Sequence, residues 1–138
     1  MKNQLFIDTG AFFARYVARD DCHDEALALW EKVKKEKLPC TTTNFVVAEF
    51  ITLMAYRFGA REAHQAGSEL YHSQVLEIFS LTPELELKAL DWIRRFSDQD
   101  FSMIDAASFA VMQERGIKTA FTFDHHFSIA GYRMFSLD

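Results

Sequence analysis

Short apolar runs alternate along the chain with stretches in which apolar residues recur every three to four positions. Leu5-Phe6-Ile7 predicts a buried strand, stopped by Asp8-Thr9-Gly10. Residues 11–18 and 24–35 predict helices. In the second, Ala26, Leu27, Leu29, Trp30 and Val33 make the apolar face, and lysines fill the last turn, where the helix dipole favours them. Residues 38–42 predict a Thr-rich strand. Asn44 predicts the cap of a helix reaching Phe58, which Gly59 ends. Ala60–His72 reads as a helix, 75–81 as a strand, and Thr82-Pro83-Glu84 as the start of a helix to Phe96. Residues 102–115 predict a helix closed by Gly116, followed by strands at 119–122 and 132–137. Strands separated by helices call for an α/β fold whose mostly parallel sheet, of four to five strands, is covered on both faces. The last strand follows a short link and is expected at an edge.

Composition narrows the class. The 138 residues suit one domain, 1–138, and 49% hydrophobic with 25% charged residues excludes wholesale disorder. No apolar run approaches the ~18 residues of a membrane span, and Asp8 interrupts the only apolar N-terminal stretch, so no membrane partner and no cleavable signal are expected. Cys22 and Cys40 form no metal-binding spacing and read as reduced thiols of a cytoplasmic protein. The 15 Lys and Arg against 20 Asp and Glu give a formal charge of −5, which argues against gripping nucleic acid by bulk basic surface.

Four carboxylates stand in apolar surroundings. Asp8 follows the first strand. Glu49 is the only charge between Asn44 and Tyr56. Asp105 interrupts Ser102-Met103-Ile104-Asp105-Ala106-Ala107, and Asp124 follows Ala120-Phe121-Thr122-Phe123. Three have a structural alternative: a turn or cap for Asp8 and Asp124, a first-turn position for Asp105. Glu49 lies too deep in its helix to be a cap. In a parallel sheet the carboxyl ends of the strands converge on one crevice, the usual ligand site. Four acids there repel one another unless cations are bound, and Mg2+ or Mn2+, one or two ions, suits oxygen ligands better than zinc does. Such a site fits phosphodiester cleavage.

Phe6-Ile7-Asp8-Thr9-Gly10-Ala11, Val46-Val47-Ala48-Glu49, the segment 98–106 and Phe123-Asp124-His125-His126-Phe127 occur in the order of a known family. The chain resembles a PIN-domain ribonuclease of the toxin type found in VapBC toxin–antitoxin pairs. The resemblance implies the PIN-like three-layer fold and a Mg2+- or Mn2+-dependent endoribonuclease that leaves a 5′-phosphate and a 3′-hydroxyl. It also implies a homodimer and a small antitoxin protein as inhibitor. Asp8, Glu49, Asp105 and Asp124 match the family's acidic positions. Thr9 is a candidate partner of Asp8 or of the scissile phosphate, or a cap. Ser102 is expected to cap its helix and orient Asp105. Asp98 and Asp100 are expected to hold the preceding loop, and His126 and Phe127 to give structural support. Arg15, Arg19, Arg57, Arg61, Arg94 and Arg95 are candidate phosphate contacts. An excess of Phe, 14 in all, including Phe12, Phe13, Phe50 and Phe58, suggests an apolar groove for the antitoxin, although core burial is the plainer account of each.

Other readings are weaker. Asp8-Thr9-Gly10-Ala11 also spells the aspartic-protease signature, but that class is mainly β and would leave Glu49 and Asp105 unexplained. Asp124-His125-His126 resembles another phosphoesterase signature whose companion motifs are missing. A non-catalytic RNA- or protein-binding module of the same fold, and a housekeeping nuclease without an antitoxin, stay open. Assigning four acids to a metal site leaves 16 against 15 basic residues. The acidic sum is then the mark of a metal site on a nearly neutral protein, and RNA attraction should depend on metal.

Overall fold

The computed structural model describes residues 3–138. Five strands form one parallel sheet in the order β3-β2-β1-β4-β5. They are β1 (Leu5–Ile7), β2 (Cys40–Thr43), β3 (Leu76–Phe79), β4 (Thr119–Phe121) and β5 (Arg133–Met134). Helices α1 (Thr9–Ala14) and α2 (His23–Glu36) connect β1 to β2, α3 (Asn44–Phe58) and α4 (Ala60–His72) connect β2 to β3, and α5 (Pro83–Arg95) and α6 (Met103–Arg115) connect β3 to β4. A short α7 (His126–Ile129) links β4 to β5.

The central strand explains itself. β1 is covered on both faces, so Leu5, Phe6 and Ile7 are all buried and show no polar alternation. Leu5 stands opposite Cys40 and Thr119, and Phe6 opposite Thr41 and Ala120. The neighbouring β2 is fully buried although three of its residues are Thr. Each hydroxyl is used: Thr42 donates to Ile7 O at 2.7 Å, Thr41 accepts from Gln4 and bonds Glu77, and Thr43 accepts from Val46 N. A buried hydroxyl so paired avoids the cost of an unsatisfied one.

Helix ends follow local chemistry. Thr82 caps α5 and Pro83 is its first residue. Gly116, at φ +68°, closes α6 in a left-handed conformation that favours glycine. The cap of α3 is Thr43, not Asn44. Thr43 has the extended backbone a cap requires, while the Asn44 side chain accepts from Leu81 N and ties the far end of β3 to this helix. Helix α1 ends at Ala14, short of the expected 18, because the chain turns through Tyr16 N to Phe13 O and Asp20 N to Val17 O. The Asp20 carboxylate then accepts from Cys22 N ahead of α2. β5 spans two residues, not six, and lies at the sheet edge as expected. No helix among the described residues is long and apolar enough to cross a membrane.

Most of the Phe excess is core. Phe6, Phe12, Phe50, Phe109, Phe121 and Phe127 are fully buried, and Phe12 packs against both Trp30 and Phe50. Of the four Phe named as groove candidates, Phe12 and Phe50 are in the core, Phe13 is half-buried and only Phe58 is exposed. Cys22 and Cys40 are free thiols, and burial pushes the Cys40 thiol up to about 11.

Candidate metal centre at the carboxyl rim

The strand order has one switch point. From β1 the chain builds outward through β2 and β3, then crosses back to place β4 on the other side of β1. The crevice between the carboxyl ends of β1 and β4 is where such sheets bind ligands. Asp8 leaves β1 there, and its main-chain amide still bonds Phe121 O at 3.0 Å.

Asp8 is 7% exposed. The Thr122 hydroxyl donates to its Oδ2 at 2.8 Å, and the same oxygen of Thr122 accepts from Asp124 N at 3.0 Å. One buried threonine therefore couples the acid after β1 to the acid after β4. Burial pushes the Asp8 carboxyl up to about 7, and the charges of Asp105 and Asp124 add to this; the Thr122 bond and the Thr9 amide oppose it. Asp105 is also raised, chiefly by burial, with Asp124 adding and the Ser102 amide opposing.

Asp105 holds two offices. Ser102 Oγ accepts from Asp105 N at 3.0 Å, and Asp105 Oδ2 accepts from Ser102 N at 3.2 Å, a reciprocal capping box. The box starts α6 and fixes the carboxylate at the rim, as expected of Ser102. Asp124 is fixed differently, with its Oδ1 accepting from His126 N at 2.9 Å. That turn brings the His126 imidazole inward. Its Nδ1 lies 3.4 Å from Asp124 Oδ1 and 3.6 Å from Asp105 Oδ2, and it is buried with no hydrogen-bond partner. Asp105, Asp124 and His126 each offer a ligand atom within 4.8 Å of the others.

The structure thus brings Asp8, Asp105 and Asp124 to one rim and adds His126, which the sequence had marked for structural support alone. Phe127, fully buried, does give that support. Glu49 is half-buried on α3 and lies outside the compact group. Its helix starts after Thr43 at the end of β2 and packs against α1. Thr9 Oγ1 is buried without a hydrogen-bond partner, so it neither caps α1 nor bonds Asp8. Asp98 and Asp100 are exposed. Arg15 stacks over Trp30 at 4.4 Å, and Arg94 and Arg95 pair with Asp91, while Arg19, Arg57 and Arg61 are exposed.

Raised, mutually repelling acids beside an unpartnered ring nitrogen form a donor set that fits a divalent cation.

Residues 5–131 match the PIN domain family. The chain is 37% identical to the 23S rRNA-specific endonuclease VapC20 of Mycobacterium tuberculosis over 93% of its own length and 95% of that protein's. It is 31% identical to a VapC ribonuclease of Archaeoglobus fulgidus, over 89% of this chain and 78% of that one. The crystal structure of VapC20, a Sarcin-Ricin loop cleaving toxin, matches with a TM-score of 0.85 at 36% identity, covering 94% of this chain and 96% of that one. VapBC2 of Rickettsia felis, solved on a DNA fragment from its promoter, shares the fold at 12% identity, with a TM-score of 0.69 and 97% and 98% coverage. The switch-point crevice, its acids and these likenesses over nearly the whole length agree: the chain belongs to the PIN domain family, among the VapC endoribonucleases.

Proposed function

We propose that this endoribonuclease acts through Asp8, Asp105 and Asp124, with Glu49 as the fourth acid of the family set, and that it requires Mg2+ or Mn2+. The observation that carries the reading is the convergence of three chain segments, at Asp8, Asp105 and Asp124, on the crevice between β1 and β4. Asp105 and Asp124 would hold the ion, with Asp8 behind them. A divalent ion held there would lower the pKa of water and neutralise charge growing on phosphate oxygens. The chain's own part is positional. Ser102 and the His126 amide fix the two outer carboxylates, and Thr122 fixes Asp8.

The substrate we propose is a single-stranded or loop segment of ribosomal RNA, and specifically the sarcin–ricin loop of 23S rRNA. The support is the likeness to VapC20 across nearly the full length. A small antitoxin is the proposed inhibitor, placing a basic residue among the carboxylates, and a homodimer the proposed assembly. The test is to incubate purified ribosomes with wild-type protein and with Asp105→Asn, then map 5′ ends. One cut in the sarcin–ricin loop by wild type, lost in the variant and in EDTA, is the expected result. Cleavage elsewhere would overturn the substrate; cleavage surviving EDTA would overturn the metal requirement.

A further inference from the structure

The His126 ring is held firmly for a side chain with no partner. Phe127 anchors the next residue in the core, Phe101 meets the ring edge-on at 5.2 Å, and the turn at Asp124 sets the backbone. Yet Nδ1 is buried and bonded to nothing. A buried polar atom left unpaired costs free energy. The two carboxylate oxygens it faces each accept one main-chain bond, Asp124 Oδ1 from His126 N and Asp105 Oδ2 from Ser102 N.

The separations of 3.4 and 3.6 Å exceed a hydrogen bond. They match neighbouring ligands on one ion: donors ~2.0–2.6 Å from a metal at right angles lie ~2.8–3.7 Å apart. We propose that His126 Nδ1 is a direct ligand of the ion, beside Asp105 and Asp124, and that it shifts the centre away from Mg2+ toward first-row transition ions, for which Mn2+ serves as the probe. This rests on the metal-dependent reading above. Mg2+ demands hard oxygen donors and sheds water reluctantly, whereas an imidazole nitrogen favours first-row transition ions. An all-carboxylate centre would have less of that preference, so His126 is where this chain adds to it.

The test uses full-length, metal-free protein loaded with Mn2+ alone and read by pulsed electron paramagnetic resonance. Nitrogen coupling from a bound imidazole is expected. Labelling only histidine with 15N should change that coupling, which needs no variant to fold. His126→Gln should abolish it and weaken the Mn2+ Kd by ~10-fold or more, with Mg2+ displacing the remaining Mn2+ more readily than in wild type. His125→Gln should leave the coupling in place, since that ring is exposed and farther from the acids. Mn2+ that binds, depends on Asp105 and shows no histidine coupling would overturn the proposal and leave the carboxylate centre standing. Absence of Mn2+ binding together with cleavage in EDTA would overturn both readings.

Discussion

Asp8 carries the strongest pH dependence in the site. Its folded pKa of about 7 stands above the ordinary value of 3.8, so the folded chain holds a proton that the unfolded chain gives up. The stability this contributes is fully present below about 4 and is lost as pH rises through about 7. In metal-free protein, the unfolding free energy of wild type relative to Asp8→Asn should fall over that window by up to ~1.4 kcal/mol per pH unit, then level off. Denaturant titrations of both proteins from pH 4 to pH 8 measure it. A flat difference would mean that Asp8 ionises in the ordinary carboxylate range.

Helix α6 shows one element serving both fold and site. Ser102→Ala removes half of its capping box and should cost about 1 kcal/mol of stability. The Asp105 carboxylate keeps its bond from Ser102 N, but the turn that aims it is loosened when the Asp105 amide loses Ser102 Oγ. Cleavage should therefore fall more than that loss explains, with kcat reduced and KM little changed. Equal activity at a temperature where both proteins are fully folded would show the box to be structural only. Much of this element was legible in the sequence: Ser102 before an apolar run, an acid three residues on, Gly116 at the end. What escaped reading depended on other elements. Asn44 resembled a cap until β3 supplied its partner, Leu81 N. His126 resembled plain support because nothing local reveals that a turn at Asp124 swings its ring toward Asp105, across the sheet's switch point. Helix α7 is a single turn, too short for a periodicity to register. Glu49 is the reverse case, conspicuous in its apolar run and yet outside the compact group.

The whole molecule carries a formal charge of −5, with three acids gathered in one crevice. Loading the centre should therefore stabilise the protein and improve RNA attraction together. At a Mn2+ concentration 100-fold above Kd the gain is about 2.7 kcal/mol, or several degrees in Tm, readable by scanning calorimetry. Asp105→Asn should lose most of that shift. A Tm indifferent to Mn2+ would contradict a resident ion.

Asp8 and Asp124 stand near opposite ends of the described chain and meet only because β4 pairs with β1. The helices can form from neighbours in sequence, but this pairing has to close nearly the whole length first, and such long-range contacts are slow. During refolding, helical signal should therefore appear before any capacity to bind Mn2+. Chains in which β4 has not yet paired with β1 would lack the assembled group of acids, so cleavage should appear only with that last pairing.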